Sequence, residues 1–210
     1  AAGDRLSQTL SPARLRVAAV LTLTAPGTPM LFMGEEWGAS TPWQFFTSHP
    51  EPELAEATRR GRRAEFARMG WDESIVPDPN DPATFERSKL DWTEAERTGH
   101  ADLLRLYREL AHLRRAHPEL SDPNRSGHAA ESIAPGRWAL HRGAATVYVN
   151  LSDAPWERDL EGRGVWFSTE PAEALPAGSP ATAPGAPAVP AGLLRLPPDS
   201  AVIVGPVDGD

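Results

Sequence analysis

The chain has 210 residues, a net charge of −8 and no cysteine. Without cysteine it can form neither disulfides nor a thiolate zinc site, and its acidic balance argues against a nucleic-acid partner. No apolar run approaches the length that a membrane span needs. We therefore expect a soluble, cytoplasmic protein of one or two domains, and no metal or organic cofactor is implied.

The first residues lead us to expect that this chain is a part of a longer polypeptide. It opens with Ala1-Ala2-Gly3 and has neither an initiator methionine nor a basic-then-apolar leader. We expect the N-terminal part of the same chain to be a missing partner of these residues.

The first long element is a predicted helix over residues 12–24, with Ser11 as its N-cap and Pro12 at its first position. Pro26-Gly27 ends it, and the apolar run Met30–Met33 follows between further breakers. A short apolar run of this kind is typical of a strand buried on both faces of a parallel sheet. A helix that leads into such a strand predicts one unit of a β/α barrel.

Carboxylates and aromatic rings follow this predicted strand directly. Ligand sites of α/β enzymes lie at the carboxyl ends of buried parallel strands. A pyranose presents an apolar face to a ring and hydroxyls to carboxylates, so the composition suits a sugar site. The candidates are Glu35, Glu36, Trp37, Trp43, Phe45 and Phe46.

Three motifs resemble one enzyme family. Residues 27–36 read G-T-P-M-L-F-M-G-E-E, which matches the G-x-P-x-x-x-x-G-[DEQ]-E pattern at the last barrel strand of the α-amylase superfamily. The runs Gly34–Leu54 and Pro77–Trp92 resemble the malto-oligosyltrehalose trehalohydrolases. The resemblance implies a retaining glycosidase that releases trehalose by cleaving the α-1,4 bond next to the terminal trehalose of malto-oligosyltrehalose. It implies that residues 12–24 are the seventh barrel helix and the apolar run the eighth strand.

The resemblance also implies that the reacting groups are absent. In the family, all three catalytic carboxylates lie on earlier strands, and the last sits in an N-H-D motif directly before the A-A-G-D-R-L with which this chain begins. We therefore assign no catalytic residue to this chain, and we expect the chain alone to be inactive. Glu35 and Glu36 do not replace them, because neighbouring residues at a strand end point to opposite sides.

The substrate-binding candidates have two interpretations each. Glu36 either hydrogen-bonds neighbouring loops or a sugar hydroxyl, or it is a solvated surface residue. The aromatic rings pack the following excursion onto the barrel, or one or two of them stack on glucose. The set is Glu36, Trp37, Trp43, Phe45 and Phe46, with Asp4, Arg5 and His49 expected to form structural pairs.

The excursion and the last predicted barrel helix complete residues 1–121. Helices are predicted over 53–69 and 101–117, the second with an apolar face at i, i+3, i+4, i+7 spacing. The arginines of Arg59–Arg63 indicate a solvated face or, alternatively, anion binding. His112 and His117 are spaced poorly for a shared metal, so we expect surface or packing roles.

From about residue 122 the apolar period changes from 3.6 to 2. We predict a C-terminal antiparallel β-sandwich over 122–210, with strands at 137–142, 145–151, 164–168 and 201–204. The Pro/Ala/Gly-rich stretch Pro171–Gly192 is predicted to be a mobile surface loop.

Two other functions remain open from the sequence. One is a glucan branching or debranching enzyme of the same superfamily. The other is a non-catalytic carbohydrate-binding module, since a barrel without its first strands cannot close.

Overall fold

A computed structural model describes residues 3–70, 72–170, 173–174 and 192–207. It contains α1 (Leu6–Thr9), α2 (Pro12–Thr24), α3 (Pro52–Arg68), α4 (Pro82–Ser88), α5 (His100–Ala116) and α6 (Pro118–Ser121). The strands are β1 (His128–Ala134), β2 (Arg137–Arg142), β3 (Ala145–Asn150), β4 (Trp156–Asp159), β5 (Gly164–Ser168), β6 (Glu173–Ala174), β7 (Leu193–Leu196) and β8 (Ser200–Gly205).

The chain divides into two compact units. The first comprises Ala1–Thr9 and Phe32–Leu104, and the second comprises Leu10–Leu31 and Arg105–Asp210. Helix α5 begins in the first unit and continues in the second.

The first unit is helical and irregular. It holds α1, α3 and α4 together with 3-10 helices at Glu35–Trp37 and Trp92–Glu96. Helix α4 begins where Asp81 accepts a hydrogen bond from the Ala83 amide, with Pro82 at the first helical position. The prediction of a helix over 53–69 is confirmed by α3.

In the second unit, α2 confirms the prediction for residues 12–24. Ser11 accepts a hydrogen bond from the Arg14 amide at 3.2 Å, and the buried side chains include Val17, Val20 and Leu23. Helix α5 confirms the predicted amphipathic pattern, since Leu106, Tyr107 and Leu110 are buried.

The prediction of a buried parallel strand at Met30–Met33 is wrong for this structure. The segment has no strand assignment, and Met30 is 87% exposed. A parallel strand needs hydrogen-bonded neighbours, and every strand pair in the described residues is antiparallel and lies beyond residue 127. The Glu35 amide also bonds the Phe32 carbonyl at 2.9 Å, which turns the chain at once.

The strands form two antiparallel sheets, with orders β1-β2-β3-β8-β5 and β4-β7-β6. The four predicted strands are confirmed as β2, β3, β5 and β8. Strands β1, β4, β6 and β7 were not predicted. One apolar cluster joins both sheets and comprises Ala139, Tyr148, Trp156, Leu160, Leu194, Leu196, Val202 and Val204. Apolar side chains from two facing sheets are the basis of a sandwich core.

Most of the predicted loop Pro171–Gly192 lies outside the described residues. Within that stretch, Glu173–Ala174 form strand β6, which pairs with β7. Across the part of the chain that the structure describes, no helix is long and apolar enough to cross a membrane.

Candidate functional site

The acidic pair begins a tight turn in the first unit. Glu35–Trp37 form a 3-10 helix between Gly34 and Gly38, whose φ angles are 82° and 68°. Glycine occupies such left-handed conformations without steric cost. At Gly34, an added Cβ would lie 2.8 Å from side-chain carbons of both Ala39 and Leu90. The packing around Gly34 therefore favours a residue without a side chain at this position.

The two glutamates have different environments within this turn. Glu35 caps it locally, because one of its carboxylate oxygens accepts the Phe32 amide at 2.9 Å. Glu36 is partly buried, and its Oε2 atom is buried without a hydrogen-bond partner in the described residues. Glu36 interacts electrostatically with Arg5. Burial lowers the pKa of Arg5, and the negative charge of Glu36 raises that pKa by a smaller amount.

Trp37 is the last residue of this 3-10 helix, and its side chain is buried. Its side chain is 2% exposed, and its ring packs on Trp92 with centroids 5.0 Å apart. The carbonyl of Trp37 accepts a hydrogen bond from Nδ1 of His100 at 2.7 Å, so that nitrogen carries the proton. The ring itself presents no open face for stacking.

Of the other three aromatic candidates, Trp43 and Phe46 belong to a continuous ring cluster, and Phe45 contacts the Arg62 guanidinium. Trp43 meets Phe32 and Phe46 edge to face at centroid distances of 5.6 and 5.3 Å. Phe46 in turn meets Phe85 at 5.0 Å. Trp43 remains partly exposed and Phe45 is 45% exposed, so both of these rings are accessible to solvent.

A small open pocket adjoins these exposed rings. It is lined by aromatic, amide and guanidinium groups, from Gly3, Trp43, Gln44, Phe45, Arg62, Phe66, Val76 and Pro77. The Arg62 guanidinium lies 5.0 Å from the Phe45 ring and 4.6 Å from the Phe66 ring. It also pairs with Glu65 at 2.7 Å. The pocket thus combines ring faces with hydrogen-bond donors.

The remaining sequence candidates have structural partners or lie apart. Asp4 is exposed, and His49 is 3.2 Å from the Thr47 hydroxyl. Arg59 is paired with Glu56 and Asp78, which favours the solvated-face interpretation of the arginine run. His112 is exposed and His117 stacks on Trp166 at 3.8 Å, which confirms surface and packing roles. Among the described residues, no three acidic, histidine or cysteine side chains cluster to hold a metal.

Comparisons with known proteins place the chain. No family model matches it. It is 55% identical over 190 residues to the malto-oligosyltrehalose trehalohydrolase of Brevibacterium helvolum, covering 90% of this chain and 32% of that relative. It is 59% identical over 155 residues to the enzyme of the same name from Arthrobacter ramosus, covering 74% of this chain and 26% of the relative. The chain belongs to the malto-oligosyltrehalose trehalohydrolase family.

A solved structure supports the wider assignment. A provisionally assigned alpha amylase from Salmonella typhimurium superposes with a TM-score of 0.72 at 32% identity, over 97% of this chain and 32% of that one. The chain therefore spans about a third of the length of its trehalohydrolase relatives and of this structural neighbour.

Ser40, Glu94 and Arg62 lie at the candidate site but were not among its predicted residues. Ser40 donates to the Glu94 carboxylate through its amide at 3.1 Å and also through its hydroxyl. Arg62 approaches Phe45 from a helix predicted to be a solvated face. In the sequence, Glu94 lies two residues after the Pro77–Trp92 motif, and that position gives no indication of its distance from the turn.

Proposed function

We propose that the intact protein to which these residues belong is a retaining glycoside hydrolase. It cleaves the α-1,4-glucosidic bond adjacent to the terminal trehalose of malto-oligosyltrehalose and releases trehalose. The observation that supports this most strongly is the 55% identity over 190 residues to a trehalohydrolase. The 32% coverage of that relative is why the activity is a proposal for the longer protein.

We further propose that residues 1–121 are the C-terminal part of a (β/α)8 barrel and that 122–210 form a β-sandwich domain. Helices α2 and α5 would be the last two barrel helices. The likeness to an alpha amylase over 97% of the chain supports this arrangement. The exposed apolar run between the helices would be flanked by strands only in the complete barrel.

The turn and the ring cluster would form part of the glucan site. Trp43 and Phe45 would offer ring faces to glucose units, and Phe46 would hold Trp43 in place. Glu36 would hydrogen-bond a sugar hydroxyl or a neighbouring loop. Trp37 would support the turn from beneath, because its ring is 2% exposed. Stacking of this kind is typically worth about 1 kcal/mol for each ring.

The reacting carboxylates would come from the rest of the protein. A retaining mechanism needs a nucleophile and a general acid roughly 5–5.5 Å apart across the scissile bond. Glu35 is engaged with the Phe32 amide, so it is poorly placed to serve as either group. We therefore expect the 210-residue chain alone to release no trehalose.

The test is product analysis with the intact protein and maltotriosyltrehalose. We expect trehalose and maltotriose in equal amounts, with the maltotriose released first as its α-anomer. Branched glucan without trehalose would instead identify a branching enzyme. Saturable binding of maltodextrin without any product would identify a non-catalytic module, and either of these outcomes would overturn the proposal.

A further inference from the structure

The turn that carries Glu36 is held from outside by a set of polar side chains. Here the rim turn means residues 33–41, and the clamp means Arg5, Ser7, Gln8, Glu94 and His100. Three clamp side chains bind carbonyls of the rim turn: His100 at Trp37 (2.7 Å), Ser7 at Ala39 (3.0 Å) and Gln8 at Ser40 (3.2 Å). The backbone of the rim turn is thus held by these side chains in addition to the backbone hydrogen bonds of its short 3-10 helix.

Arg5 joins the two ends of the rim turn. Its Nη1 donates to the Met33 carbonyl at 2.7 Å, and its Nε donates to the Thr41 carbonyl. The Arg5 side chain is 7% exposed, and its guanidinium lies 5.4 Å from the Phe32 ring. A planar guanidinium can donate in two fixed directions at once, which a lysine ammonium cannot reproduce.

Glu94 holds the rim turn near its C-terminal end, at Ser40. It is 4% exposed, and both of its oxygens accept from Ser40, one from the amide and one from the hydroxyl. Arg5 and Glu94 also attract each other electrostatically, since the Glu94 charge raises the Arg5 pKa against the lowering by burial. The two buried charges therefore stabilise one conformation of the rim turn.

We propose that Arg5, assisted by Glu94, is a positioning residue that sets the shape of the rim turn and thereby the affinity for substrate. The kinetic part of this inference rests on the proposed trehalohydrolase function. Arg5 need not touch the sugar, because it acts through the backbone that carries Glu36 and leads to Trp43. A preorganised loop binds its ligand without the cost of ordering at the moment of binding.

The experiment uses the intact protein with Arg5→Met and Arg5→Lys, and Arg63→Met as the control. Arg63 is an exposed arginine of the same unit. Hydrogen exchange is measured on peptides spanning the rim turn and on peptides of α3, and KM and kcat are measured with maltotriosyltrehalose.

For Arg5→Met we expect faster amide exchange in the rim turn alone and a KM raised roughly 10- to 100-fold, with kcat within about 2-fold of the unmodified protein. Arg5→Lys should raise KM less than Arg5→Met does, because lysine keeps the charge and one hydrogen bond. Arg63→Met should match the unmodified protein in both measurements.

Unchanged exchange and unchanged KM in Arg5→Met would overturn the inference, as would faster exchange spread equally over α3. A fall in kcat with KM unchanged would also contradict it. If Arg5→Met does not fold, Glu94→Gln provides the same test from the other side of the turn. Failure of the proposed function is separate, because the unmodified protein would then release no trehalose while the exchange result still tests the positioning role.

Discussion

Gly34 shows how a single residue determines the candidate site. Its φ of 82° and the two carbons 2.8 Å from a hypothetical Cβ leave no room for a side chain. We expect Gly34→Ala to lower the free energy of unfolding of the chain by about 1–3 kcal/mol, because both the backbone and the packing are strained. Urea denaturation measures this change.

Gly61 is the matched control for this substitution. It lies within α3, has no neighbour within 4 Å of an added Cβ, and has no left-handed φ. Gly61→Ala should raise the free energy of unfolding by roughly 0.5–1 kcal/mol, because alanine loses less backbone entropy in a helix. Equal effects of the two substitutions would contradict the strained-turn interpretation.

At the scale of elements, the hydrogen bonds between Glu94 and the rim turn make the stability of the fold depend on pH. Burial alone would raise the pKa of Glu94, but the hydrogen bonds from Ser40 and the charge of His100 hold it below its usual 4.5. A carboxylate with a lowered pKa in the folded state stabilises the fold above its unfolded pKa. That stabilisation is lost as the pH falls through the lowered value.

The prediction is therefore a loss of stability below about pH 4.5 that depends in part on Glu94. Glu94→Gln should lower the unfolding free energy at neutral pH and should flatten its decline between neutral and acidic pH. Denaturant titrations over this range provide the measurement. Parallel curves for the two proteins would show that Glu94 does not contribute to the pH dependence.

The two sheets depend on an aromatic pair in their shared core. Trp156 is 6% exposed and meets Tyr148 edge to face at 5.7 Å. Trp156→Ala should cost about 3–5 kcal/mol, because it removes a large buried ring and leaves a cavity. Trp138→Ala is the comparison, since Trp138 is 38% exposed and should cost roughly 1 kcal/mol or less. Similar losses in urea denaturation would contradict a core between the sheets.

Elements with local signals could be predicted from the sequence. The capping Ser11, the proline after it and the apolar period of α5 locate helices to within about one residue of the observed bounds. The apolar run at Met30–Met33 was mispredicted because a parallel strand depends on neighbours that local sequence does not specify. The clamp was missed for the same reason, since its hydrogen bonds join residues 28 to 63 positions apart.

At the scale of the whole molecule, our proposal is that the chain supplies a shaped binding surface and that the reacting groups lie elsewhere. The preorganised turn, the exposed rings and the small open pocket all lie in the first unit. Under the proposed function, the catalytic carboxylates would come from other parts of a longer protein. The central proposal is therefore that this surface binds the glucan substrate and does not perform the bond cleavage.

Steady-state kinetics of the intact protein on maltotriosyltrehalose tests this claim most directly, with Trp43→Ala compared with Trp43→Phe. The account predicts that Trp43→Ala raises KM by roughly 10-fold while kcat changes little, since an aromatic contact is worth about 1 kcal/mol or somewhat more. Trp43→Phe, which keeps a ring, should stay close to the unmodified protein. Unchanged constants in Trp43→Ala, or a loss of kcat with an unchanged KM, would contradict it.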